Sequence, residues 1–145
     1  MATRTSRTAW NGTLQEGSGQ VELTSSGLGT FDVSFPRRTA ETADGTTSPE
    51  ELIAAAHSSC YSMALAGEIA RAGGTPIAHQ VTADVTLSPD PAGGVGISAI
   101  HLTVRAEVEG LDADAFEAAA QAAKVGCPVS KALTGTTITL DAALD

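Results

Sequence analysis

Aromatic side chains are scarce in this chain: one Trp, one Tyr and three Phe, 3% of 145 residues. A core so poor in rings is built from Ala, Val, Leu and Ile, which favours close helix packing over large aromatic anchors. Basic residues are few as well. Eight Lys and Arg stand against 17 Asp and Glu, for a formal charge of -9. Phosphate binding needs a basic face, so the balance argues against nucleic acid as a partner. No stretch is long and apolar enough to span a bilayer, which excludes a helical membrane protein. The opening MATRTSRTAW has two arginines but no apolar segment behind them, against an export signal. Cysteine occurs only twice. Two thiols without an export signal place the protein in the cytoplasm, where a disulfide is transient and catalytic rather than structural.

What is present reads as one domain, residues 1–145, long enough to bury roughly two-thirds of its unfolded surface. The first third carries three strand patterns, Thr5–Gly12, Gln20–Ser25 and Thr30–Phe35, punctuated by Gly-rich turns. Residues 36–47 read as a polar loop holding Arg37 and Arg38. Ser48-Pro49-Glu50-Glu51 then opens a helix: Ser48 caps, Pro49 suits the first turn, Glu51 closes a capping box, and both acids face the positive end of the dipole. Gly73-Gly74 stops it after about 24 residues, or ~36 Å. From Leu52 to Met63 this helix is small or apolar nearly all round. A helix without a polar face must be enclosed on several sides, which asks for a subunit interface. Alternation in Val81–Leu87 and Ile97–Val108 gives two further strands. Asp112 caps a helix over 113–125 with Phe116, Ala119, Ala120 and Ala123 on its buried face. A short helix follows Pro128, and Thr136–Ala142 is the last strand. The pattern βββ-α-ββ-αα-β predicts an α+β fold with a largely antiparallel sheet.

The chemistry rests on two unlike cysteines. Cys60 reads as buried mid-helix, about three turns from the start, in apolar surroundings that raise a thiol pKa. Cys127, between Gly126 and Pro128, stands at a helix start, where free N–H groups stabilise a thiolate. For Cys60 to act as a nucleophile, a cation must come to it from elsewhere, and the Arg37-Arg38 pair is the available source. An arginine cannot deprotonate, and its fork of donors can hold a thiolate and a peroxide oxygen together. Glu50 can orient that arginine. It is ten residues before Cys60, about 15 Å along one helix, so an arginine loop or a second subunit must join the two.

Blander readings accompany each of these residues. A free cysteine is often a small packing residue, and Glu50 and Glu51 suit any helix start. His57, one turn before Cys60, reads as a hydrogen-bonded packing residue, and Lys131 as solvated. A zinc site from His57, Cys60 and Cys127 lacks a fourth ligand and any paired spacing.

The segments SPEELIAAAHSSCYSMALA and GCPVSKAL resemble the signature stretches of the OsmC/Ohr family of thiol peroxidases, the first of them closer to the OsmC branch. The likeness continues more weakly from AWNG to TITLD. It implies antiparallel sheets packed around a long central helix in an intertwined homodimer, with two sites at the subunit interface. It further implies Cys60 as the peroxidatic cysteine, Cys127 as its resolving partner and Glu50 as the catalytic glutamate. The catalytic arginine falls on Arg38, with Arg37 the alternative. The implied activity is reduction of organic hydroperoxides and hydrogen peroxide, protecting against oxidative stress. Cys60 becomes a sulfenic acid, Cys127 closes the disulfide, and an external dithiol, a lipoylated protein among the options, reduces it. No metal, haem or nicotinamide cofactor is expected. A second class of function stands beside this one: a dimeric binding protein with a hydrophobic ligand in a redox-latched cleft.

Overall fold

A computed structural model describes all 145 residues, which form two compact units, Met1–Leu52 and Ile53–Asp145. The first unit is an antiparallel three-stranded sheet in the order β1 (Arg7–Asn11), β2 (Ser18–Glu22), β3 (Thr30–Val33). Each strand is shorter than its sequence pattern suggests. After β3 the expected polar loop is instead broken by a helical turn, α1 (Phe35–Arg38). Ser34 caps it by accepting from the Arg37 N–H, and Pro36 sits in its first turn. Arg37 and Arg38 are therefore fixed by a helix rather than carried on a loop.

Helix α2 (Pro49–Arg71) runs for 23 residues. Its start follows the expected cap, with the Ser48 hydroxyl accepting from the Glu51 N–H at 3.1 Å. The reciprocal half of the capping box does not form, because the Glu51 carboxylate takes the Thr47 hydroxyl. The helix ends at Gly73, whose φ of +90° carries the chain into the left-handed region that L side chains avoid.

In the second unit, α2 buries His57, Tyr61, Leu65 and Ile69, one residue every four. Tyr61, Leu65 and Ile69 share one core with the apolar face of a long hairpin, β4 (Thr75–Pro89) and β5 (Val95–Glu109). The β5 residues Ile100, Leu102, Val104 and Ala106 are fully enclosed, as their alternation predicts. Strand β6 (Thr137–Leu144) adds to β5 in parallel, giving the order β4-β5-β6. Helix α3 (Ala113–Gly126) is capped by Asp112, which accepts from the Ala115 N–H at 2.8 Å, and buries the four residues read from its sequence. Phe116 is the largest of them, at 1% exposure. Phe116→Ala is expected to cost about 3–5 kcal/mol by leaving a cavity that close packing cannot refill, measured as a lower urea midpoint with unchanged slope. Helix α4 (Pro128–Ala132) follows α3 at once.

Within this chain α2 is covered along a single stripe, and Ala55, Ser59, Met63 and Gly67, also four apart, remain exposed, Met63 at 73%. No helix is long and apolar enough to cross a membrane.

Candidate active site

Cys127 ends α3 and starts α4, with backbone angles of φ -58° and ψ 122° that belong to neither helix. This kink turns the first N–H groups of α4 back onto its own sulfur. Cys60, in the middle of α2, brings the second sulfur into direct thiol–thiol contact with it. Two residues 67 positions apart thus share one site. Both are free thiols. Cys60, read from the sequence as buried, is half-buried and reachable, whereas Cys127 at its helix start is fully enclosed.

The two sulfurs are electrostatically unequal. Burial pushes the Cys60 thiol up; one hydrogen bond from the Val129 N–H opposes this, and the Cys127 sulfur beside it adds to the rise. Burial also pushes Cys127 up, but there it loses. The Ser130 N–H, the Cys60 thiol, the Ser130 hydroxyl and the Val129 N–H all favour a charged Cys127 sulfur and carry it below the ordinary value. In such a pair the first proton belongs to the pair, and these donors draw the charge to Cys127. This unit therefore offers no cation that would ionise Cys60 first.

His57 is fully buried and bonded through Nε2 to Ser130 Oγ at 2.7 Å, the hydrogen-bonded packing role expected of it. Its Nδ1 has no partner. Burial pushes its pKa down, so the ring is neutral. Ser130 does not stand out in the sequence. Its only signal there is its place three residues after Cys127, in CPVS. Lys131 is exposed, and no group of three or more His, Cys, Asp or Glu stands where it could hold a metal ion.

In the first unit the two neighbouring arginines point to different acids. Arg37 makes an exposed ion pair with Asp44 at 2.5 Å. Arg38 is half-buried and grips Glu50 with two nitrogens: Nη2 to Oε1 at 2.7 Å, and Nε to Oε1 and Oε2 at 3.1 and 3.2 Å. Burial pushes the Glu50 carboxyl up, but the Arg38 bonds, its own backbone N–H and Ser48 outweigh it and hold it below the usual carboxylate range. The Glu50 bond in turn raises Arg38. A guanidinium fixed in this way is permanently charged and points its remaining donors in a set direction.

Arg38 also forms part of the wall of an apolar cleft of about 240 Å³, with Trp10, Leu14, Val33, Phe35 and Leu52 among its other sides. Sequence patterns give no sign of this cleft, since its residues come from separate elements. A larger cleft of about 380 Å³ involves the alternate strand residues Ala9, Asn11, Gln20 and Asp32, and has no cysteine, histidine or cation in its lining.

Known proteins share this arrangement of strands and helices. The profile of the OsmC-like protein family matches residues 42–141. Peroxiredoxin OsmC of Escherichia coli strain K12 is 43% identical over 132 residues, 91% of this chain and 90% of its own. The organic hydroperoxide resistance protein OhrA of Bacillus subtilis strain 168 is 34% identical over 106 residues, 72% of this chain and 73% of its own. The crystal structure of an organic hydroperoxide resistance protein OsmC from Legionella pneumophila superimposes with a TM-score of 0.76 at 27% identity, covering 99% of both chains. The α+β architecture read from the sequence is thus the architecture of these proteins. Profile, sequence and structure agree that this chain belongs to the OsmC-like protein family.

Proposed function

We propose that this protein is a cysteine-based peroxidase that reduces organic hydroperoxides, and hydrogen peroxide as well, in defence against oxidative stress. The observation that carries the reading is the direct contact of two free thiols with opposite electrostatics. Cys60, the reachable sulfur, attacks the terminal peroxide oxygen. The O–O bond breaks, the alcohol leaves with a proton, and Cys60 becomes a sulfenic acid. Cys127, already favoured as a thiolate, attacks that sulfur and expels water, closing the Cys60–Cys127 disulfide. An external dithiol, of which a lipoyl group is one form, then restores both thiols by exchange.

The first step requires the charge on Cys60 rather than Cys127, and the proposed source is Arg38. Its two-nitrogen grip on Glu50 supports Arg38 over Arg37, whose guanidinium is engaged with Asp44 at the surface. The apolar walls beside Arg38 suit the hydrocarbon part of an organic hydroperoxide, with the cation beside its polar end. The reading includes a homodimer of one 145-residue domain per subunit, supported by the uncovered stripe of α2 at Ala55, Ser59, Met63 and Gly67. It also includes a cytoplasmic setting, supported by a cysteine count of only two, too few for a structural disulfide framework. The ligand-binding alternative gains no comparable support, since the curated relatives are named for peroxide chemistry.

Mixing reduced protein with cumene hydroperoxide tests the proposal. Each chain is expected to consume one peroxide and lose two titratable thiols. Unchanged thiol content after excess peroxide would remove it.

A further inference from the structure

The mechanism above leaves unused a fully buried imidazole joined to a buried hydroxyl. His57 reaches Ser130 across 73 positions of sequence, with Nε2 and Oγ 2.7 Å apart, and Ser130 is itself only 6% exposed. Ser130 stands in α4 three residues after Cys127, and its N–H and hydroxyl favour charge on the Cys127 sulfur. A hydroxyl has one proton to give. If that proton goes to sulfur, Oγ must accept from His57, which requires hydrogen on Nε2 and a bare Nδ1. The structure fits this order, because Nδ1 is the ring atom left without a partner, and a buried bare acceptor is tolerated more readily than a buried orphan N–H. The resulting chain runs one way, from imidazole to hydroxyl to sulfur. Nothing comparable acts on Cys60, whose sulfur has only the shared Val129 N–H and the Cys127 thiol.

Resting on the peroxidase reading, we infer that Ser130, positioned by His57, makes Cys127 the leaving sulfur when the Cys60–Cys127 disulfide is reduced, so that the external dithiol forms its mixed disulfide with Cys60. One thiolate of the reductant attacks Cys60 Sγ. The S–S bond breaks, and its electron pair stays on Cys127 as a thiolate, which the Ser130 hydroxyl and N–H stabilise as hydrogen-bond donors. The second thiol of the reductant then attacks its own sulfur in the mixed disulfide, expelling Cys60 as a thiolate. The reductant leaves as an oxidised disulfide, two electrons have entered the protein, and its two protons pass to solvent or to the protein thiols. Exchange is fastest when the expelled thiol is the more acidic one, which the dyad provides. The exposure of the sulfurs agrees, since Cys60 is half-buried and Cys127 enclosed.

The test isolates the reductive half-reaction by forming the disulfide with diamide, so that it does not depend on peroxide activity. Inertness to peroxide would remove the peroxidase proposal while leaving this experiment able to run. The wild-type disulfide, treated with one equivalent of 2-mercaptoethanol and quenched with N-ethylmaleimide, is expected to have the thiol adduct on Cys60 and the maleimide on Cys127. The reverse labelling overturns the inference without any variant. Ser130→Ala is expected to slow reduction by dihydrolipoamide about tenfold, as loss of one hydrogen bond to a charged sulfur should. Ser130→Thr should restore the rate, and His57→Gln, which keeps a donor, should lie between them. Wild-type reduction rates in Ser130→Ala, or failure of the threonine to rescue, would contradict the assignment.

Discussion

Replacing Cys60 by serine is expected to abolish hydroperoxide turnover, by at least about a thousandfold, because no second sulfur can take the oxygen in its place. Cys127 has the lower proton affinity of the pair, so nucleophile strength alone would make it a rival. Its complete burial denies it a peroxide, whereas Cys60 is reachable. Cys127→Ser gives the complementary result. Its first oxidation should proceed, turnover with a dithiol should fall steeply, and the sulfenic acid should persist long enough to be captured by dimedone. Stopped-flow traces of single oxidations, run beside steady-state turnover, separate the two variants.

The second large effect falls on the arginine. Arg38→Ala is expected to lower kcat/KM for cumene hydroperoxide by roughly a hundredfold to a thousandfold, the usual cost of removing a preorganised charge from a developing anion. Arg37→Ala should stay within about twofold, since Arg37 loses only an exposed pair with Asp44, and such pairs contribute little. The ion pair also sets an acid limit. Glu50 is depressed in the folded protein, so what the Arg38 bond contributes is fully present above the usual carboxylate range and is lost as pH falls through the lowered value. Activity should decline with that titration, and Glu50→Gln should remove the acid limb while lowering the plateau.

Much of the fold is legible in the amino-acid sequence. The alternation of Ile100, Leu102, Val104 and Ala106, the buried face of α3, and the cap at Ser48 are local patterns. Local patterns survive folding because each satisfies its own backbone or its own face. The helical turn at Phe35–Arg38 has the same kind of cue: Ser34 before Pro36, much as Ser48 precedes Pro49. It stays hidden because four residues give no apolar period to detect. The early part of β4 escapes a pattern search for a related reason. Pro76 interrupts the alternation, and the register slips between Pro76 and Ala78. The burial order of the thiols has no local signal at all, because it depends on how α2 meets the α3–α4 corner. The same is true of Ser130. Three residues from Cys127 it looks like helix composition, and only the 2.7 Å approach of His57 distinguishes it. The roles proposed for Cys60, Cys127 and Glu50 are implied by the resemblance of the two signature segments to known peroxidases, and spacing by itself leaves them open.

The central claim is that Cys60, not Cys127, takes the first oxygen, although the surroundings within its own unit favour charge on Cys127. Peptide mapping of reduced protein quenched with dimedone, within milliseconds of adding one equivalent of cumene hydroperoxide, tests it directly. The adduct is predicted on the peptide containing Cys60 and to be absent from the same peptide when Arg38 is alanine. A first adduct on Cys127, or equal labelling of Cys60 with and without the Arg38 guanidinium, would contradict the account.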